Sequence, residues 1–277
     1  MPSHPFCQVD VFGARSLRGN PLAVVAEADG LDAETMQAIA RWTDLSETTF
    51  LLAPDDPEAD YRVRIFTPSH ELPFAGHPTL GSAHAWLTSG GEPQRAEVIT
   101  QECGAGLVAV RPEDERLAFA APPLSRFEPV EANLLLDIAG ALGIDRTEIV
   151  DAAWLVNGPE WIGIRLRSAE QVLALRPDGQ AIDGYDVGVV GPHDGGDVDV
   201  EVRAFVFDRG LLEDPVTGSL NAGLASWLIG GDVLPPRYVA AQGTVLGAEG
   251  RVFVERDDTG LWIGGAVRTI VSGELTV

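Results

Sequence analysis

The sequence contains no lysine: all 19 of its basic residues are arginine. That absence excludes an internal Schiff base to pyridoxal phosphate and the phosphate-holding lysine of a Walker loop. Cysteine is scarce as well. Cys7 and Cys103 are too few for a disulfide framework and stand in no metal-type cluster, so a reduced, cytoplasmic protein is expected. No run approaches the ~18 consecutive apolar residues of a membrane span. The opening Met1-Pro2-Ser3-His4-Pro5 lacks the basic start and apolar stretch of a signal peptide. Positive charge is also short. Against 42 acidic residues the net charge is −23, which argues against nucleic acid and anionic membranes as partners. The acids are scattered rather than blocked, as on a solvated surface.

What is present is an ordinary globular composition, 45% hydrophobic over 277 residues, a length that points to two domains. Alternating hydrophobicity predicts strands over 6–12, 21–26, 48–53, 61–66, 97–101, 106–110 and 116–120. A second set follows over 153–157, 161–166, 187–190, 199–207, 237–241, 250–255 and 261–267. Helical periods fall over 32–43, 78–89, 131–142, 168–175 and 220–229, the first with Asp32 as its N-cap. The stretch Ala121-Pro122-Pro123-Leu124 reads as the linker.

The two halves repeat each other. Glu71-Leu72-Pro73-Phe74-Ala75-Gly76-His77 aligns with Glu213-Asp214-Pro215-Val216-Thr217-Gly218-Ser219, and Gly81 and Ala83 match Gly223 and Ala225. Arg64-Ile65-Phe66 answers Arg203-Ala204-Phe205 upstream, and Gly106–Val110 answers Gly250–Val254 downstream. The offset stays between 139 and 144 residues, read directly from these positions. Four matches in one order indicate a duplicated strand–loop–helix–strand unit: a sheet around one apolar helix.

In each repeat a small-residue turn precedes the helix. Pro78 suits the first helical position, making His77 the N-cap; Ser219 is the matching cap of the second helix. A buried helix start offers unpaired N–H groups and the positive end of the dipole, and Gly76 and Gly218 allow close approach of a ligand to the backbone. Two such starts facing each other about a pseudo-twofold would hold a carboxylate.

The residues also resemble a known family. Val9-Asp10-Val11-Phe12, Gly19-Asn20-Pro21-Leu22-Ala23-Val24-Val25, Leu45-Ser46-Glu47-Thr48-Thr49-Phe50, Arg64-Ile65-Phe66-Thr67-Pro68 and Pro73–Gly81 are similar to the first half of PhzF-like phenazine-biosynthesis proteins. Glu213–Ser219 and Gln242-Gly243 extend the resemblance to about residue 250. It implies an α+β, diaminopimelate-epimerase-like fold of two pseudo-twofold-related domains, each a β-barrel-like sheet wrapped around a central apolar helix. The domains would be 1–121, joined by 268–277, and 122–267. The implied activity is isomerisation of a small carboxylate-bearing substrate in the interdomain cleft by cofactor-independent proton transfer, in a homodimer. The catalytic residues map to Glu47, His77 and Asp214, and the substrate-binding ones to Gly76, Gly218 and Ser219. After Gln242-Gly243 this chain runs Gly247-Ala248-Glu249-Gly250-Arg251 where relatives commonly have Gly-Arg-Pro-Ser.

The residues bear on this reading individually. Glu47 lies in a short polar bridge before an apolar strand, where an apolar cleft would raise its pKa towards that of a proton shuttle. His77 is placed to donate a proton. Asp214 aligns with Leu72, so the duplication does not account for its carboxylate. Asp10, polar within an apolar strand, is expected to orient His77. His70, His77 and His84 recur every seven residues, but a helical rise of ~1.5 Å per residue puts His77 and His84 roughly 10 Å apart, too far for one zinc ion. No metal site is expected, and His84 is placed beside Trp86 in the core. A two-thiol epimerase needs cysteines where this chain has Ala75 and Thr217. A carboxylate/histidine racemase and a non-catalytic carboxylate-binding protein remain the alternatives.

Overall fold

The computed structural model describes residues 2–178, 184–206 and 212–277; the predicted strand 199–207 reaches residue 207, which lies outside them. The chain divides into two compact units, Met1–Ala120 with Gly264–Val277, and Ala121–Ile263.

Unit 1 runs β1 (Ser3–Val11), β2 (Asn20–Val25), α1 (Ala33–Thr43), β3 (Thr48–Leu52), β4 (Tyr61–Phe66), β5 (Glu71–Leu72), α2 (Gly76–Thr88), β6 (Ile99–Cys103), β7 (Gly106–Glu113) and β8 (Arg116–Ala120). Unit 2 runs β9 (Arg126–Pro129), α3 (Ala132–Leu142), β10 (Asp151–Val156), β11 (Glu160–Arg165), α4 (Ala169–Ala174), β12 (Asp186–Pro192), β13 (Val200–Val206), β14 (Leu212–Asp214), α5 (Gly218–Gly230), β15 (Arg237–Gln242) and β16 (Gly250–Asp257). The last strand, β17 (Gly260–Thr276), pairs antiparallel with β1 over Val267–Thr276.

The duplication extends further than the sequence matches. In unit 1, β1–β2 is antiparallel, β2–β3 parallel across α1, β3–β4 antiparallel, and β4 pairs with β5 antiparallel and with β6 parallel across α2. In unit 2, β10–β11, β11–β12, β12–β13, β13–β14 and β13–β15 repeat that series, with α4 and α5 as the crossover helices. Parallel neighbours need such crossovers, and these fix where the helices lie.

Helix α2 packs against β1, β2, β3, β4, β6, β7 and β8, and residues Gly76–Ala83 are all buried. A helix apolar on every side is what such a position requires. Strand β3 is buried along its whole length because α1 and α2 both pack on it, so it reads as an unbroken run rather than an alternation. On its α1 side Met36, Ile39 and Ala40 meet Val25, Phe50 and Phe66. In unit 2, α5 packs against β10, β11 and β16, while Leu135, Ile138, Trp154, Ile162, Val189 and Phe205 form a core with α3 and α4.

The structure corrects two sequence expectations here. The central helices start at Gly76 and Gly218, with Ala75 and Thr217 as N-caps, so His77 and Ser219 lie inside the first turn. Proline is tolerated throughout that turn because its missing N–H has no intrahelical partner there, and Pro78 therefore does not mark the first helical residue. Strands β5, β9 and β14 escaped the pattern. They are two to four residues long, too short for alternation to register.

Candidate active site

Helix α1 delivers Glu47. Asp32 caps its start, accepting from the Thr35 amide at 2.8 Å, as expected from the sequence. Asp44 ends it in the left-handed conformation, φ 54°, a turn that short polar residues adopt readily. The Thr43 and Thr48 hydroxyls then meet at 2.7 Å and close the base of the loop carrying Leu45-Ser46-Glu47. Helix α2 delivers His77 from its buried first turn, and the two side chains come together: His77 Nε2 lies 3.2 Å from Glu47 Oε2.

The other side of the imidazole fixes its tautomer. Asn20 Nδ2 sits 3.4 Å from His77 Nδ1; with the amide in this orientation its NH₂ can only donate, so Nδ1 accepts and Nε2, on the side of Glu47, carries the hydrogen. Burial lowers the His77 pKa from 6.5 to about 3, which keeps the ring neutral. His77 thus stands as a neutral ring in close polar contact with Glu47, the 3.2 Å approach not closing into a hydrogen bond between Nε2 and Oε2. A neutral imidazole releases its second proton only at very high pH.

Asn20 was not read from the sequence as a site residue. It opens β2, is fully buried, and is placed by the turn before it. There Asp10 Oδ1 accepts the Gly19 amide at 2.8 Å and Oδ2 the Arg18 amide at 3.2 Å. A side chain at Gly19 would meet the Val11 carbonyl at 2.1 Å, so only glycine fits. Asp10 thus does not orient His77 directly, as expected from sequence; it shapes the turn that carries Asn20. The signal was present in Gly19-Asn20-Pro21, but nothing local tells which strand end Asn20 faces.

His84 also departs from expectation. Its Nε2 meets Thr269 Oγ1 at 2.9 Å, while Trp86 stacks on Tyr61. Among the described residues no group of three or more metal-type ligands converges, and no helix is long and apolar enough to cross a membrane.

Unit 2 carries Asp214, Gly218 and Ser219. The Thr217 hydroxyl donates to Asp214 Oδ2 at 2.5 Å. Ser219, in the first turn of α5, has its Oγ 3.1 Å from Trp161 Nε1 and its carbonyl 2.8 Å from Asn157 Nδ2. An indole N–H only donates, so Ser219 accepts from Trp161 and its own hydroxyl proton is directed elsewhere. Gln242 Oε1 accepts from the Thr217 amide and Asn221 Nδ2. The first intrahelical amides are those of Thr79 and Asn221, bonded to the Ala75 and Thr217 carbonyls. The amides of Gly76 and His77, and of Gly218, Ser219 and Leu220, precede them, and neither N-cap side chain closes the helix start. Trp161, Asn157 and Gln242 were likewise missed as site residues; each lies far in sequence from the turn it serves. The loop after Gln242-Gly243 folds back on itself, the Ala248 amide donating to the Gly243 carbonyl at 3.0 Å.

The two units repeat their supports. Gln101 Nε2 donates to Thr79 Oγ1 and Thr79 to the Ala75 carbonyl; Asn221 Nδ2 donates to Gln242 Oε1 and the Thr217 carbonyl. Arg64 holds Glu71 bidentately, as Arg203 holds Glu213.

Comparison with known proteins places the chain in a family. A model of the phenazine biosynthesis-like protein family matches residues 9–269. The Schizosaccharomyces pombe protein "Antisense-enhancing sequence 1" is 37% identical, the match covering 99% of each chain. The trans-2,3-dihydro-3-hydroxyanthranilate isomerase of Pseudomonas aeruginosa is 30% identical over 93% of this chain and 92% of that protein. A crystal structure of a PhzF family protein from Enterococcus faecalis matches with TM-score 0.82 and 27% identity, covering all of both chains. The fold is the epimerase-like α+β one, each unit a sheet around a central apolar helix.

Proposed function

The chain belongs to the phenazine biosynthesis-like family of isomerases, and from that membership we propose that it isomerises a small unsaturated carboxylate by moving one proton between two carbons. Glu47 takes the proton and returns it. The observation that carries this reading is the Glu47–His77 pair: a carboxylate in a largely buried site, 15% exposed, with one oxygen 3.2 Å from a donor nitrogen. A carboxylate so placed can take up and return a proton of a molecule bound beside it, since a base must sit within hydrogen-bond reach of the proton it abstracts. A neutral His77 suits that role, because an imidazolium beside Glu47 would depress its basicity.

In this reading Asp214 accepts the accompanying heteroatom proton and polarises the substrate. The substrate carboxylate lies on the amides around Gly76–His77 and Gly218–Ser219, with the Ser219 hydroxyl as a further donor; helix starts of this kind favour anions. This reading requires Glu47, His77 and Asp214 to act on one bound molecule. Trans-2,3-dihydro-3-hydroxyanthranilate, named for the relatives, is the first substrate to assay.

The test is turnover in D₂O with that compound and a panel of other unsaturated carboxylates. Glu47→Gln keeps shape and removes the titrating proton, so it should retain binding and lose roughly 10²–10⁴-fold in kcat, the usual contribution of a general acid–base group. Deuterium should enter the product only with Glu47 present. Near wild-type turnover by Glu47→Gln, with His77→Ala or Asp214→Ala inactive, would show that the base lies elsewhere.

A further inference from the structure

We propose that Thr217 and Gln242 form a one-directional hydrogen-bond relay that holds Asp214 as an ionised acceptor, making both positioning residues for the reaction. The inference rests on the reading of Asp214 as a functional carboxylate. The direction is settled by groups that have no choice of role. Gln242 Oε1 lies 3.1 Å from the Thr217 amide and 2.9 Å from Asn221 Nδ2, both of which only donate. Gln242 Nε2 lies 3.1 Å from the Asp214 carbonyl, which only accepts. Reversing the amide would set donor against donor and acceptor against acceptor in a site where Gln242 and Asn221 are fully buried and no water can compensate.

With that orientation fixed, Nε2 also donates to Thr217 Oγ1 at 2.9 Å. The hydroxyl, already accepting, sends its proton to Asp214 Oδ2 at 2.5 Å. Threonine is a favoured N-cap, yet here its hydroxyl makes no cap bond; it is committed to Asp214. The neighbouring charges on β13 and β14, Arg203 and Glu213, are paired with each other, and α5 and β15 present the neutral Asn221 and Gln242 to the relay. Asp214 Oδ2 is thereby an acceptor in the resting protein, an arrangement that favours the ionised carboxylate and suits Asp214 to receive a substrate proton.

The experiment is a carboxyl ¹³C NMR titration of the full chain labelled at aspartate, with the Asp214 signal identified by its loss in Asp214→Asn. Removing the hydroxyl in Thr217→Val should move the Asp214 midpoint up by about one pH unit, and Thr217→Ser should restore it. Gln242→Glu offers the hydroxyl an acceptor in place of the amide and turns it away from Asp214. In that background Thr217→Val should therefore add no further shift, a non-additivity that a double-mutant cycle reads directly. An Asp214 midpoint unmoved by Thr217→Val, or moved equally in both backgrounds, overturns the relay. If Thr217→Val fails to fold, an Asp214 midpoint in Gln242→Glu equal to that of wild type overturns it alone. Wild-type turnover by Asp214→Asn would instead sink the functional reading of Asp214 and leave the relay standing.

Discussion

At the scale of single residues each unit holds candidate groups whose hydrogen-bonding roles are set by their neighbours within that unit. In unit 1 Asn20 sets the His77 tautomer and His77 lies 3.2 Å from Glu47, and in unit 2 Trp161 leaves the Ser219 hydroxyl a donor. Burial that keeps His77 neutral also has a cost in acid. Its folded pKa of about 3 lies below the unfolded value of 6.5, so between those values the unfolded chain binds a proton that the folded one refuses. Stability linked to His77 is complete above pH 6.5 and falls as the pH drops towards 3. Unfolding in denaturant at pH 7 and pH 4 should show wild type losing on the order of 3 kcal/mol more than His77→Gln. Equal losses would mean that the ring is not desolvated. Glu47 itself was legible in sequence only through resemblance, since a lone glutamate in a polar bridge has no periodicity. Asn20 and Gln242 were not legible as site residues, because their partners are 57 and 25 residues away.

At the scale of elements the two central helices differ in how tightly the sheets grip them. A methyl at Gly81 would lie 2.4 Å from Leu22 Cδ2 and 3.0 Å from Val9 Cγ2, whereas at Gly223 the nearest atom is Leu155 Cβ at 3.1 Å. Alanine gains up to ~1 kcal/mol in a helix over glycine, but overpacking costs about 1–3 kcal/mol. Gly81→Ala should therefore be destabilising, and Gly223→Ala close to neutral, by denaturant midpoint. The reverse order would show that α2 lies more loosely in its sheet than described. The apolar character of these helices and their glycine-marked starts could be read in the sequence. The positions of the caps could not, because Pro78 and Ser219 satisfy first-turn preferences at more than one place.

At the scale of the whole molecule the charge is the dominant feature. A net charge of −23 without a single lysine leaves the folded chain under self-repulsion that salt relieves, as the Debye length shrinks from ~10 Å at 0.1 M to ~3 Å at 1 M. The melting temperature at pH 7 should rise between 0.05 and 0.5 M NaCl; a flat or falling curve would mean that local pairs such as Arg203–Glu213 outweigh the global field. The sequence by itself determined the duplication, the helices and all but the shortest strands, because hydrophobic period, motif order and spacing are local properties of the chain, and its resemblance to a family pointed to the candidate carboxylates. Tertiary structure alone decided that Glu47 meets His77, that His77 is neutral, and that Thr217 serves Asp214 rather than its helix. Those outcomes depend on burial and on which distant donor reaches which acceptor, and neither quantity exists until the sheets close around α2 and α5.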